Sequence, residues 1–449
     1  MSKLFGTDGV RGIANSELTC DLAFKIGQAG ALVLTKRCKT TPEIVVGKDT
    51  RISGDMLESS LLAGFCSVGA NAVRLGIIPT PAVAYLTRMY GADAGVVISA
   101  SHNSMEYNGI KFFDGKGFKL SDEIEEEIED IVLNSKLDFV LPAGENIGKI
   151  TNREDAYLEY VKFVKQTIDC NLSGIKIAVD CANGATYKVA QKVFGELGAE
   201  LYIINNTPNG ININEKCGST YMAGLQNLVR NTDCDIGVAF DGDGDRVLAT
   251  DEKGILIDGD QIMAICAFDM KKRGILKNNT LVGTVMSNLG LKVATEKLDI
   301  EFKQTAVGDR YVLEQMLKTG ENLGGEQSGH IVFMDYNTTG DGVLAALQLL
   351  AIMKRSGKKL SELAGIMKVF PQVMINAYVV NEKKKLFDTD YVIKEKVAEI
   401  SEKYSKCGRV LIRPSGTEPV IRVMIEGEDS DLITKDAKML AKLIENRLA

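Results

Sequence analysis

The chain has 449 residues, 45% hydrophobic and 25% charged, an ordinary globular composition with material for several hydrophobic cores. Fifty-three Lys plus Arg against 60 Asp plus Glu give a formal net charge of −7, which favours neither nucleic acid nor an anionic membrane as a partner. The most apolar run, Val343 to Met353, is too short to span a bilayer and contains Gln348. The opening Met1 to Gly12 carries Gly, Asp and Arg where a secretion signal needs an apolar stretch, and nine cysteines lie singly without a C-x-x-C pair. Reduced thiols in a cytoplasmic enzyme are therefore expected.

Strands and helices alternate through the first segment, residues 1–153. Glu43 to Val46 reads as a strand ending in the polar loop Gly47 to Arg51, and Met56 to Gly69 as the helix that follows. Val96, Val97 and Ile98 predict a buried strand running into Ser99-Ala100-Ser101-His102-Asn103, the kind of junction where ligands collect in open α/β sheets. Ser101 beside His102 places a hydroxyl next to a titratable imidazole, and the chain's only other histidine is His330. Ser121 to Leu133 reads as a helix capped by Ser121, with Ile124, Ile128, Ile131 and Val132 inward. Its acidic residues Glu125 to Glu127 and Glu129 are expected on a solvated face.

The second segment, 154–256, has a helix over Ala156 to Val164 and strands over Ile175 to Val179 and Ile236 to Phe240. The third, 257–368, has a helix over Gln261 to Lys271, a strand over Leu281 to Val285 and a glycine-rich loop after Leu323. Strand, polar loop and helix thus recur three times, as expected of related α/β units packed side by side. The last segment, 369–449, differs. A basic run at Lys383 to Lys385 reads as a turn or solvated surface, and helices around Ile393 to Ile400 and Leu432 to Leu448 flank strands at Val410 to Ile412 and Val420 to Ile425. A small α+β domain fits this pattern.

Asp241-Gly242-Asp243-Gly244-Asp245-Arg246 is the strongest chemical signal. Three carboxylates at alternate positions repel unless a cation sits among them, and hard oxygen donors without neighbouring His or Cys favour magnesium or calcium. An EF-hand begins similarly and Glu252 falls at its twelfth position, but Arg246 stands where the sixth position needs glycine. An inert Asp-rich turn is the other alternative. Arg413-Pro414-Ser415-Gly416-Thr417-Glu418-Pro419 joins two strands and combines hydroxyls, backbone N–H groups and a guanidinium, an anion cradle or a simple turn. Strand alternation would bring Arg422 beside Arg413. Gly324 to His330 offers a carboxylate, an amide, a hydroxyl and an imidazole, suited to sugar hydroxyls, or is a plain hairpin turn.

With these motifs in this order, the chain resembles the α-D-phosphohexomutase family from end to end, on Ser99 to Asn103, Asp241 to Arg246, Gly325 to His330 and Arg413 to Pro419. Phe5 to Gly12, Gly308 to Val312 and the Glu-Gln-Ser form of the sugar loop make it most similar to the bacterial branch that handles amino-sugar phosphates. The resemblance implies three related α/β domains and a smaller C-terminal α+β domain around a central cleft. It implies that Ser101 carries a phosphoryl group and that Mg2+ is held by Ser101, Asp241, Asp243 and Asp245. Glu326 and Ser328 would hold sugar hydroxyls, and Arg413, Ser415, Gly416, Thr417 and Arg422 the phosphate that is not reacting. Lys111 and His330 would be acid/base groups, with His102, Arg11 and Arg246 at the reacting end.

The implied activity is reversible conversion of glucosamine 6-phosphate to glucosamine 1-phosphate, feeding amino-sugar nucleotide and cell-wall precursor synthesis. Glucosamine 1,6-bisphosphate would be intermediate and activator; a phosphomannomutase/phosphoglucomutase is the alternative. A small sugar phosphate is the expected partner, without nucleic acid or membrane, and a homodimer stays open. One departure stands out: Ser104 occupies the position of the proline that usually follows Ser-His-Asn, which puts the stiffness of the loop in doubt.

Overall fold

The computed structural model describes residues 4–6, 9–36, 41–134, 140–405, 408–415 and 418–448. The β-branched runs form the sheets. Ala94–Ile98 lies inside a six-stranded sheet, parallel to Glu43–Lys48 on one side and antiparallel to Tyr107–Asp114 on the other. Val10–Ile13 closes one edge, and Asn71–Ile77 followed by Ile150–Asn152 the other. Helix Cys20–Leu34 packs against Gly54–Ser67, with Gly27 and Gly64 allowing backbone contact: a Cβ at Gly27 would meet the Leu61 carbonyl at 2.6 Å. Phe65, Phe112, Ile98 and Ile128 fill the core between these helices and the sheet.

The second sheet repeats the plan with five strands. Ile236–Phe240 runs parallel to Lys176–Asp180 and antiparallel to Val247–Asp251. In the third, Leu323–Gly325 is parallel to Thr280–Thr284 and antiparallel to Ile331–Phe333. The Ser101 loop, the Asp241 loop and the Glu326 loop therefore occupy one topological position. Each joins a strand with a parallel neighbour to the antiparallel strand that follows it. The apolar run around Val343 is the helix Gly342–Ser356, buried from Gly342 to Met353, and among the described residues no helix is long and apolar enough to cross a membrane.

These three sheets belong to one compact unit, Met1–Met286 with Ile300–Ile366; Ser287–Asp299 and Met367–Ala449 form a second. The second has a three-stranded antiparallel sheet ordered Gln372–Tyr378, Val420–Gly427, Gly408–Pro414. Ile421, Val423 and Ile425 face its core with Ile393, Ile400, Leu440 and Ile444 from helices Tyr391–Tyr404 and Ser430–Leu448. Asn288 ties the short segment in: its side chain accepts from the Phe370 amide at 3.0 Å and donates to the Phe370 carbonyl at 2.9 Å.

Two surface expectations need correction. In helix Asp122–Asn134, Glu125 is buried and lies 4.0 Å from Arg310, while Glu129 accepts from the Leu4 and Phe5 amides. The acidic run is thus partly an anchoring face. Lys384, in the middle of the basic run, is buried: its Nζ donates to the Ser415 carbonyl at 2.6 Å and to the Glu418 carbonyl. Converging backbone carbonyls draw an ammonium inward even where its neighbours are solvated.

Candidate active site

Leaving its buried strand, the chain curls at Ser101, whose φ of +51° lies in the left-handed region that side chains avoid. The Ser101 amide donates to Ser99 Oγ at 2.9 Å, and its own hydroxyl donates to Asp241 Oδ2 at 2.6 Å across 140 residues of sequence. The close approach requires Gly242, where a Cβ would lie 2.5 Å from the Ser101 carbonyl oxygen. The chain's most reactive-looking hydroxyl and its most acidic turn are one site.

Asp241, Asp243 and Asp245 are all buried, with ligand-capable oxygens within 4.8 Å of one another; no other such carboxylate, His or Cys cluster occurs among the described residues. Lys111 Nζ at 2.9 Å and Thr80 Oγ1 at 2.7 Å both reach Asp243 Oδ2. Asp243 Oδ1 and Asp245 Oδ1 are buried without a hydrogen-bond partner. Burial, reinforced by the charges of Asp245 and Asp243, pushes the Asp241 carboxyl well above the usual range. Burial acts the same way on Asp245, but His330, Lys111 and Arg246 outweigh it and hold that group well below. Unequal, crowded carboxylates with oxygens left over suit a hard divalent cation, so the donor set fits Mg2+. The EF-hand alternative fails: strands, not helices, flank the loop, and Glu252 accepts from Ser361 instead of turning to the triad.

His102 does not act on Ser101 as a simple base would. Its Nδ1 lies 3.4 Å from Ser101 Oγ but 3.1 Å from Arg246 Nη1, and a guanidinium can only donate. Burial, then the charges of Arg246 and Arg11, lower the imidazole pKa to about 4. His102 is thus a neutral acceptor that orients Arg246. Arg11 stands on the edge strand opposite Gly109, within electrostatic reach of His102. His330 is buried beside the triad, with Nδ1 3.4 Å from Asp245 Oδ2 and Nε2 accepting from the Gly340 amide at 3.1 Å. Burial lowers its pKa, but the Asp245 hydrogen bond and charge, with Asp309 behind, leave it above the ordinary imidazole value.

In the loop from Gly324 to His330, Glu326 is half-buried and Ser328 exposed. Glu326 Oε1 accepts from the Gly308 amide, and burial raises its carboxyl pKa. Gln327, between Glu326 and Ser328, is engaged within the protein. Its amide donates to Asp258, the residue that caps helix Gly259–Lys272, so it braces the loop from behind. In the second unit, Arg413 and Arg422 are directly opposite on neighbouring strands. Like charges so placed are unfavourable unless an anion joins them. Arg422 also pairs with Glu418, and Ser415 Oγ accepts from the Glu418 amide. Gly416 and Thr417 lie outside the described residues. Sequence reasoning missed Asp49, Arg51, Thr80, Asn214 and Lys384, which touch these loops from elements far away in the chain.

Family models for the phosphoglucomutase/phosphomannomutase alpha/beta/alpha domains I, II and III match residues 2–138, 155–254 and 258–370, and the C-terminal domain model matches 352–443. A phosphoglucosamine mutase from Ruminiclostridium cellulolyticum is 59% identical over 449 residues, covering 100% of both chains. The chain belongs to the phosphoglucosamine mutase family. It is an isomerase, a phosphohexomutase. The fold is shared with a phosphoglucomutase/phosphomannomutase family protein from Burkholderia thailandensis, at TM-score 0.83 and 23% identity, covering 99% of this chain and 98% of that one. It is shared too with Aspergillus fumigatus N-acetylphosphoglucosamine mutase in complex with GlcNAc-6P and magnesium, at TM-score 0.72 and 18% identity, covering 99% and 96%.

Proposed function

We propose that the chain interconverts glucosamine 6-phosphate and glucosamine 1-phosphate, with Ser101 as the phosphoryl carrier. The observation that carries this is the Ser101 hydroxyl seated 2.6 Å from a carboxylate of the buried aspartate triad, in a chain 59% identical throughout to a phosphoglucosamine mutase. In the forward half, the phosphorus–Oγ bond of phosphoserine 101 breaks as a bond forms to the free hydroxyl of the bound sugar phosphate. The product, glucosamine 1,6-bisphosphate, turns over and returns its other phosphoryl group to Ser101. Proton carriage falls to Lys111 and His330, which border the triad at Asp243 and Asp245 respectively.

Positioning and charge neutralisation are most of what phosphoryl transfer requires. Mg2+ held by Asp241, Asp243, Asp245 and a Ser101-borne oxygen would neutralise charge on the moving phosphoryl group. Arg246, oriented by His102, and Arg11 add fixed positive charge at the reacting end. Glu326 and Ser328 receive sugar hydroxyls, while Arg413, Ser415, Gly416, Thr417 and Arg422 hold the idle phosphate. Four domains, 1–153, 154–256, 257–368 and 369–449, divide these tasks. The setting is cytoplasmic, and the product enters amino-sugar nucleotide and cell-wall precursor synthesis.

Phosphorus NMR of purified protein with glucosamine 6-phosphate, Mg2+ and a catalytic amount of bisphosphate tests this. Growth of a 1-phosphate resonance is expected, with Ser101→Ala abolishing both that resonance and the phosphoprotein seen by intact mass. Release of inorganic phosphate in its place would make the protein a phosphatase. Faster turnover of glucose 1-phosphate than of the amino sugar would move the substrate to the phosphoglucomutase branch.

A further inference from the structure

The Ser101 loop has no proline to stiffen it, yet its backbone is held at three successive points by one buried side chain. Arg51, at the end of the loop after strand Glu43–Lys48, donates through Nη2 to the Ser101 carbonyl at 3.0 Å and the Asn103 carbonyl at 2.8 Å. Its Nη1 donates to the Ser104 carbonyl. Arg51 is itself fixed: its Nε donates to Asp49 Oδ2 at 2.9 Å and its amide to Asp49 Oδ1 at 2.9 Å. Asp49 Oδ2 also accepts from Ser99 Oγ at 2.6 Å, and Ser99 Oγ accepts from the Ser101 amide, which closes a ring of bonds around the nucleophile.

A second hand comes from another segment. Asn214 Nδ2 donates to the Ser101 carbonyl at 2.8 Å and the Asn103 carbonyl at 2.9 Å. Carbonyls that converge repel one another, and a left-handed serine reverts to ordinary backbone unless its surroundings over-determine it. A planar guanidinium with several fixed donors meets that geometry, whereas an ammonium is a point donor on a flexible stem.

We infer that Arg51, seated by Asp49 and assisted by Asn214, is the positioning residue of the phosphoryl carrier: it holds the Ser101 loop in its left-handed turn and so aims Oγ at the aspartate triad. Neither Arg51 nor Asn214 hydrogen-bonds to Ser101 Oγ or to the triad carboxylates. Arg51 takes over at Ser104 the restraint a proline ring would otherwise impose. The inference rests on Ser101 as phosphoryl carrier, the reading proposed above.

The test uses the full chain with Arg51→Lys and Asn214→Ala, the latter side chain being only half-buried. Two quantities are measured: steady-state kcat and KM for glucosamine 6-phosphate, and the single-turnover rate at which glucose 1,6-bisphosphate phosphorylates Ser101, read by intact mass. Displacing a reacting atom by about an ångström costs about 100-fold in rate, so Arg51→Lys should lose about that factor in kcat and in loading rate. Asn214→Ala should lose about 10-fold, and KM should stay within about twofold in both. Asn214→Ala should melt close to the parent and decides the matter if Arg51→Lys does not fold. Unchanged loading in folded Asn214→Ala, or a loss confined to KM, overturns the inference. A parent that loads Ser101 but forms no isomer overturns the reaction proposed above, while the loading comparison still judges Arg51.

Discussion

Gly242→Ala is a one-carbon probe of whether the acidic turn and the Ser101 loop must touch. An added Cβ would sit 2.5 Å from the Ser101 carbonyl oxygen, 2.8 Å from Asn214 Nδ2 and 2.9 Å from Ile213 Cδ1. Relieving the first contact to an ordinary separation of about 3.5 Å needs about 1 Å of movement. The acidic turn cannot simply retreat. The Gly242 carbonyl accepts from the Ala185 amide at 2.8 Å, and Gly184 packs so closely that its own Cβ would meet that oxygen at 2.4 Å. The displacement falls on Ser101, and a misplacement of about 1 Å costs about 100-fold, about 2.7 kcal/mol of barrier at 1.36 kcal/mol per decade. Stability should fall by about 1–3 kcal/mol, the usual cost of overpacking. Steady-state kinetics with a urea melt separates the two effects. Gly195→Ala serves as control: it lies within helix Val189–Glu196 with its nearest neighbour at 3.7 Å, and should keep full activity with a stability gain of about 0.5–1 kcal/mol. A folded Gly242→Ala enzyme with kcat/KM within about threefold of the parent refutes the reasoning.

Lys384→Met removes the ammonium that donates to the Ser415 and Glu418 carbonyls, and initial-rate kinetics should show KM for the sugar phosphate raised about 10-fold or more, with Lys384→Arg recovering part of the loss. Stripping divalent ions with EDTA should lower the melting temperature by about 2–4 °C or more and Mg2+ should restore it, because an ion at 100 times its Kd contributes about 2.7 kcal/mol; Asp243→Asn should blunt the response in differential scanning fluorimetry. Burial raises the Asp436 pKa, but hydrogen bonds from Lys403 and Tyr404 outweigh it and leave the group below its ordinary value. A carboxylate depressed in the folded state stabilises above its unfolded pKa, about 3.9, and that contribution disappears as pH falls through the lower folded value. Urea titrations should therefore show Asp436→Asn weaker than the parent by about 1 kcal/mol at neutral pH, with the gap closing in acid.

The strands that carry the chemistry were legible because fully buried parallel strands are written as uninterrupted apolar runs, as at Val96 to Ile98 and Ile236 to Phe240. Their polar ends were legible too, since a triad of aspartates or a Ser-His pair at such an end has little structural reason to be there. The supporting shell was not. Asn214 lies in a loop rich in asparagine with no local feature to mark it, and Arg51 looks like one more charge in a polar turn. What fixes their roles is a set of carbonyls contributed from 53 and 113 residues away. Lys384 misled for the same reason: composition reports the average surroundings of a residue type, while backbone carbonyls arriving from elsewhere decide whether that particular side chain turns inward.

The shared location of the Ser101, Asp241 and Glu326 loops has a mechanical meaning. Each springs from a strand laddered on both flanks and returns along a strand of reversed direction, so its roots are clamped while its tip is left to sequence. One hanger, used three times, presents the Ser101 hydroxyl, the aspartate triad and the Glu326 carboxylate, which under the function proposed above carry the phosphoryl group, grip the cation and read the sugar hydroxyls. New specificity could arise by rewriting a tip of a few residues, with the load-carrying sheets left untouched.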